Sequence, residues 1–180
     1  MFKPAKRFGF RVRQLITALF CLLTLLLLAG CPYESGEPLG PAADAKIDGR
    51  LLGRWKYEDR DSKETGFITI SRFNDTELLF AVEGDAGKSP DMMRGFVTTV
   101  DGRDFLNLQE IKGAYGDRKW TFARYTTGDC SLTFSVVNDS LAPEGGGKGL
   151  TSRQVLELLR KNLGNRKIYD GETSLTCVGK

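Results

Sequence analysis

The sequence predicts a mainly β fold: an antiparallel up-and-down β-barrel of about eight strands with one α-helix in the C-terminal region. Two observations support this prediction. In short segments, β-branched and aromatic residues alternate with polar ones, and turn residues separate these segments at intervals of roughly 8–12 residues. One later segment, residues 152–163, instead carries its apolar residues at the spacing of a helix.

The strand pattern recurs along the chain. In order, the candidate strands are residues 51–58, 66–73, 77–82, 92–100, 104–109, 119–125, 130–136 and 173–178. The clearest alternation is in 130–136, where Leu132 and Phe134 share one face and Ser and Thr residues occupy the other. A Thr-Gly-Asp turn just before this strand predicts a hairpin with 119–125.

The helical segment carries signals for its start and its end. Thr151 and Gln154 fit a capping box, in which the threonine hydroxyl accepts from the Gln154 amide and the glutamine side chain reaches back. Apolar residues then follow at helical spacing to Leu163, and Gly164 marks the expected end. The apolar face of this helix is expected to cover one side or one end of the sheet.

Residues 1–30 have the composition of an export signal. Five basic residues without an acidic one precede an apolar run over residues 15–28. A helix of these fourteen residues would be about 21 Å long, which is short for a hydrocarbon core of about 30 Å. The pattern therefore predicts a signal peptide that is removed, with the rest of the chain exported.

This segment ends in Leu28-Ala29-Gly30-Cys31, which resembles the lipobox of bacterial lipoproteins. The resemblance implies that a diacylglycerol is joined to the sulfur of Cys31, that cleavage occurs before this cysteine, and that the new amino group is acylated. The membrane would then be a partner through the lipid anchor. Pro32 replaces the Asp that retains enteric lipoproteins in the inner membrane, which favours the outer membrane, facing the periplasm. The alternative is an ordinary apolar segment that ends in a cysteine.

The exported part divides into a tether and a domain. Residues 31–46 are rich in Pro, Gly and Ala without a periodic apolar pattern, and they predict a flexible tether. Residues 47–180 have the size of one domain and contain all the predicted strands.

Charge and cysteine usage agree with export. The whole chain has 26 basic and 23 acidic side chains, and removing the five basic residues of the signal leaves 21 against 23, or −2. No basic patch with interleaved aromatics remains, so nucleic acid is not an expected partner. Cys130 and Cys177 are expected to form a disulfide in an oxidising compartment; the alternative is two unpaired thiols.

The order of strands and helix resembles the lipocalin-like barrels, and Gly53-Arg54-Trp55 on the first strand is similar to their Gly-x-Trp motif. The resemblance implies that Trp55 plugs the closed end of the barrel. It also implies that a basic residue from a late strand packs on this tryptophan, and Arg124 is the candidate.

Aromatic and arginine side chains are the candidate binding residues. If the sheet closes, the aromatics at 55, 67, 80, 96, 120, 122 and 134 either line a ligand cavity or fill a core. The proposed ligand-binding set is Trp55, Arg94, Phe96, Trp120 and Arg124, with the arginines either fixing an acidic ligand or serving a structural role.

Catalytic and metal sites are not predicted. The chain has no histidine, which excludes Ser-His-Asp triads, Cys-His pairs and the usual zinc sites. The carboxylates at positions 58, 59, 61 and 64 are read as a solvated turn. The glycine run 145–149 lacks the Ser or Thr that a phosphate loop needs after its lysine.

These observations predict a lipid-anchored protein of the cell envelope with a non-catalytic role and without a cofactor. It would bind a small apolar or amphiphilic ligand. The alternative is a protein-interaction or structural module of the envelope, with a filled core and a protein partner.

Overall fold

Eight β-strands and one helix make up the regular structure of the computed structural model, which describes residues 31–58, 65–83, 89–142 and 149–179. The strands are β1 (Gly53–Glu58), β2 (Thr65–Arg72), β3 (Leu78–Glu83), β4 (Asp91–Val100), β5 (Arg103–Glu110), β6 (Trp120–Thr127), β7 (Ser131–Val136) and β8 (Thr173–Cys177). The helix α1 (Ser152–Asn162) lies between β7 and β8. The predicted signal peptide lies outside the described residues.

The strands form a closed antiparallel barrel in which each strand pairs with the next. β1 also pairs with β8, and Trp55 stands opposite both Ile68 of β2 and Cys177 of β8. The predicted up-and-down barrel with a C-terminal-region helix is therefore confirmed. Each strand begins and ends within two residues of its predicted bounds, because alternation and turn residues mark strand ends well.

The two ends of the barrel differ in construction. The closed end carries the short turns β2–β3, β4–β5 and β6–β7 together with residues 48–52. Its tightest turn is Asp101-Gly102, where both residues have positive φ, 47° and 77°, as the two central positions of a hairpin turn require. The open end is formed by the ends of β1, β3 and β5, the start of β6 and loop 111–119.

Apolar side chains form two separate cores, one on each face of the barrel wall. The inner core lies inside the barrel and contains Trp55, Ile70, Leu78, Phe80, Leu106, Tyr125, Leu132 and Leu175. The outer core lies between the wall and the covering segments and contains Tyr33, Leu39, Phe96, Val100, Phe105, Trp120, Phe122, Val137, Leu141, Val155, Leu159, Leu163 and Ile168. β4, β5 and β6 contribute to both cores, so both of their faces are apolar.

Helix α1 covers part of the outer core, as its amphipathic pattern predicts. Both halves of the capping box are present: Gln154 N donates to Thr151 Oγ1, and Thr151 N donates to Gln154 Oε1 over 2.9 Å. Val155 and Leu159, one turn apart, are fully buried. The sheet thus gains a second layer on one side.

The prediction of a flexible tether over residues 31–46 is wrong. Tyr33 N donates to Val137 O over 2.9 Å, and Ser35 exchanges two backbone hydrogen bonds with Trp120 over 2.9 and 2.8 Å. Tyr33 and Leu39 are 3% and 1% exposed. Pro, Gly and Ala dominate the composition of this segment, and composition alone therefore does not indicate that Tyr33 and Leu39 pack on the outer core.

The predicted disulfide is confirmed. Cys130, in the β6–β7 turn, is joined to Cys177 at the end of β8, with 5.1 Å between their Cα atoms. The bridge ties the closed end across strands that are 47 residues apart in sequence. Cys31 is the free cysteine of the described chain, and it is exposed.

Candidate functional site

The barrel interior is sealed at the closed end by residues 48–52 and by Trp55. Trp55 is 1% exposed, and its indole Nε1 donates to Leu51 O over 2.8 Å. Leu51 itself is completely buried against the inner core. Trp55 thus sits at the closed end of the barrel, where the resemblance to lipocalins places it.

A partly buried polar contact reinforces this seal. Tyr125 points into the barrel, and its hydroxyl donates to Asp48 Oδ2 over 3.0 Å. Arg50 pairs with the same carboxylate at 2.7 Å. The hydrogen bond from Arg50 lowers the pKa of Asp48, whereas burial and the neighbouring Asp48 raise the pKa of Tyr125 above its ordinary range. Asp48 is therefore ionised at neutral pH and holds the closing segment to β6.

Apolar side chains at the open end of the barrel interior are only half-buried. They are Tyr57, Met93, Leu108 and Phe134, all packed against the inner core. Val97, nearer the closed end, is half-buried as well, whereas Phe80 and Leu132 are buried. The inner core is therefore incomplete at the open end, where it presents an apolar wall.

Gly66 is one of the positions of this wall where a β-carbon has no room. Gly66 stands opposite Tyr57 across β1 and β2, and a β-carbon there would overlap the Tyr57 ring. The missing side chain lets the ring lie across β2, which places a large amphipathic group at the open end.

The rim of the open end is charged. A depression of about 390 Å³ lies between loop 111–119 and the strand ends. Met93 and Leu108 supply apolar lining, and Glu34, Glu110, Lys112 and Arg118 supply charges of both signs. Lys112 pairs with Asp91 across the rim. The open end thus combines an apolar floor with a polar edge.

The predicted ligand-binding set is divided by the barrel wall. Trp55 lies inside, whereas Arg94, Phe96, Trp120 and Arg124 lie on the outer face. Among the other candidate aromatics, 80 and 134 belong to the inner core region and 122 to the outer core. The prediction of one common cavity lining is therefore corrected.

The role proposed for Arg124 is also corrected. Its guanidinium lies 4.8 Å from the centre of the Tyr169 ring on the outer face. The neighbouring Tyr125 faces inward instead, since successive side chains of a strand point to opposite faces. Arg94 is likewise structural: it donates to Gln109 Oε1 over 2.9 Å and lies 5.4 Å from the centre of the Trp120 ring.

Several residues of the open end were missed by the sequence reading. Tyr57, Met93 and Leu108 follow the strand alternation, but nothing in the alternation says which face turns inward. The available signal was Trp55. Tyr57 lies two residues after Trp55 on β1, so its side chain points to the same face of the strand. The pairing register of the following strands then identifies the residues on that same face.

Neither a metal centre nor a membrane-crossing helix occurs in the described part of the chain. Within it, no three or more His, Cys, Asp or Glu side chains are grouped as metal ligands would be. No helix of residues 31–58, 65–83, 89–142 or 149–179 has the length and apolar character needed to cross a bilayer. Carboxylates 59, 61 and 64 and glycines 145–147 of the sequence motifs lie outside these ranges.

Comparison of the chain with protein-family models, curated proteins and solved structures gave no match in any of the three.

Proposed function

We propose that this protein binds the apolar part of an amphiphilic molecule at the open end of its barrel, and that lipid attached to Cys31 anchors it to a membrane of the cell envelope. The observation that carries the binding proposal is the set of half-buried apolar side chains at the open end of the barrel interior, Tyr57, Met93, Leu108 and Phe134. A filled barrel would bury these residues, whereas here they leave apolar surface uncovered.

The chemistry of the open end favours an amphiphile over a fully polar ligand. Contact with Tyr57, Met93 and Phe134 would remove apolar surface from water, which contributes about 25 cal/mol per Å². The rim offers both carboxylates and ammonium or guanidinium groups to a polar head. Because the wall is apolar and the charged groups lie at its edge, the proposed role is binding without catalysis.

The start of the domain supports the anchoring proposal. Pro32, the residue after Cys31, forms a β-bridge with Asn138, just beyond the end of β7 at the open end of the barrel. A lipid on Cys31 would therefore be attached beside the open end, which places the binding surface close to the membrane. We propose the periplasmic face of the outer membrane, since Pro32 follows the cysteine where an inner-membrane retention signal would have Asp.

Native mass spectrometry tests the binding proposal. The domain that begins at Pro32 forms a compact unit of its own and would be exported to an oxidising compartment and purified without detergent. We expect a bound mass that is lost on denaturation, together with binding of a polarity-sensitive fluorescent fatty acid.

Two matched variants locate the site. Met93→Glu places a charge on the apolar wall and should abolish both signals. Leu79→Glu, on the neighbouring strand, alters an equally half-buried residue on the outer face and should preserve them. A bare polypeptide mass with no probe binding would reject the carrier proposal and favour a protein-interaction module of the envelope. Thermal unfolding of both variants controls for loss of the fold.

A further inference from the structure

A second cleft lies on the outer face of the barrel wall, where β5, β6 and β7 meet the segment that runs from α1 to β8. Its volume is about 540 Å³, and its lining includes Arg103, Arg124, Ser135, Arg166 and Tyr169. Cavities of roughly 300–1,000 Å³ are typical of small-molecule sites. This arginine cleft shares none of its lining residues with the depression at the open end.

Two of the three guanidinium groups are held in place by the protein. Arg124 lies over the Tyr169 ring, and the Tyr169 hydroxyl donates to Leu163 O over 3.4 Å. Arg103 Nη1 donates to the same carbonyl, just beyond the last residue of α1. The ring and the carbonyl thus fix both guanidinium groups before any ligand arrives, which lowers the entropic cost of binding.

The carboxylates of the cleft leave positive charge uncompensated. Asp170 accepts a hydrogen bond from Asn138 Nδ2 over 3.0 Å, so it is committed elsewhere. Glu172 Oε1 lies 3.9 Å from Arg124 Nη2, beyond hydrogen-bonding distance, and its side chain is 65% exposed. Three arginines against two carboxylates leave a charge of +1 (3 − 2) among the lining residues.

We propose that the arginine cleft binds a phosphate group, carried either by a small soluble phosphoester or by the head of a phospholipid. Guanidinium groups recognise oxyanions through pairs of parallel N–H donors. One arginine satisfies both oxygens of a carboxylate, whereas a terminal phosphate has three oxygens and accepts from several guanidinium groups at once. Donors from Arg103, Arg124 and Arg166 therefore match a phosphate better than a carboxylate, and Tyr169 supplies an aromatic wall beside it.

Binding to the isolated domain separates the sources of the phosphate. Calorimetry would be carried out with inorganic phosphate, glycerol 3-phosphate and a soluble short-chain phosphatidic acid, while NMR follows the arginine Nε–H signals. We expect glycerol 3-phosphate to bind at millimolar or lower concentration and to shift the Arg103 and Arg124 signals. Binding of phosphatidic acid alone would assign the site to a lipid head and would also support the proposal.

Charge-removing variants test the assignment to this cleft. Arg124→Gln and Arg166→Gln should each weaken binding about tenfold, the effect of losing one charge-assisted contact. Arg166 is exposed, so its variant decides the outcome if Arg124→Gln impairs folding. Glu172→Gln should strengthen binding, because it removes the carboxylate nearest Arg124.

The matched control is Arg54→Gln. Arg54 lies on the outer face of β1, where it pairs with Glu83 at 2.8 Å and stacks on Phe67, and it does not line the cleft. Its loss should leave binding unchanged. Absence of binding by all three ligands would overturn the proposal, and so would equal weakening by Arg54→Gln and Arg166→Gln, which would indicate diffuse charge attraction.

Discussion

The side chain of Asn107 should hold the N-terminal segment to the barrel, and Asn107→Leu should loosen this attachment. Asn107 is completely buried on the outer face of β5. Its Oδ1 accepts from Leu39 N over 2.8 Å, and its Nδ2 donates to Thr98 Oγ1 over 2.9 Å and to Phe96 O over 3.2 Å. Leucine has the same branched heavy-atom skeleton but offers none of these contacts.

The expected loss of stability in Asn107→Leu follows from the backbone N–H of Leu39, which is left without an acceptor. In the variant, the buried Leu39 N–H has lost its acceptor, which costs about 1–3 kcal/mol, and the lost donor contacts add about 1 kcal/mol. The burial of Tyr33 and Leu39 contributes roughly 2 kcal/mol each and opposes release. We therefore expect a loss of about 2–4 kcal/mol in unfolding free energy, with the segment only marginally attached.

Hydrogen exchange measures the loosening of the N-terminal segment, and denaturant unfolding measures the loss of unfolding free energy. The Leu39 amide should be protected in the wild type and exchange much faster in Asn107→Leu, while the strand amides that are hydrogen-bonded to neighbouring strands keep their protection. Asn165→Leu is the control, since exposed Asn165 makes one local contact, to Lys167 N at 3.1 Å, and its loss should cost at most about 1 kcal/mol. Wild-type exchange at Leu39 in Asn107→Leu would refute the reasoning.

Three further predictions concern the cysteines and acid stability. Cys31→Ala should abolish labelling by radioactive fatty acid and leave uncleaved precursor; normal processing would contradict the anchoring proposal. Replacing Cys130 and Cys177 by alanine should lower the unfolding free energy by about 2–4 kcal/mol, and an unchanged melting temperature would contradict this. The hydrogen bond from Arg50 lowers the pKa of Asp48 below 3.8, so its stabilisation is complete above that pH and is lost as pH falls through the lowered pKa. Stability curves of wild type and Asp48→Asn should therefore converge in acid; parallel curves would exclude the linkage.

Local patterns predicted the elements of this fold because the forces that form them are local. Alternation, turn residues and the capping box at Thr151 depend on residues a few positions apart, and the strands and the helix follow them. Predicting the disulfide required only the expectation of an oxidising compartment and a count of the cysteines outside the predicted signal and lipobox. These features need no knowledge of which parts of the chain meet in space.

The division of the wall into two faces could not be predicted in the same way. On β6, Trp120 and Phe122 form one apolar face, while Ala123 and Tyr125 belong to the other. Both faces are apolar because the outer one is covered by α1 and by the N-terminal segment. The inner face is defined only once the barrel closes between β1 and β8, and this closure joins residues more than a hundred positions apart.

The arginine cleft was missed for a related reason. Arg103, Arg124 and Arg166 are well separated in sequence, and none of them belongs to a cluster of basic residues with interleaved aromatics. They meet because the chain returns from α1 across the outer face of β5 and β6 before it enters β8. A site assembled by such a return leaves no local signature in the sequence.

The fixed N-terminal segment changes the consequence of the proposed anchor. A free tether of fifteen residues would extend up to about 50 Å and let the barrel take any orientation. With Pro32 bridged to Asn138, about one residue, or roughly 3.5 Å of chain, separates Cys31 from the folded wall. If Cys31 carries the proposed lipid, the β-bridge would fix the open end of the barrel close to the membrane. In that arrangement an amphiphile would pass between the bilayer and the apolar wall over a short distance, so that little of its apolar surface would meet water.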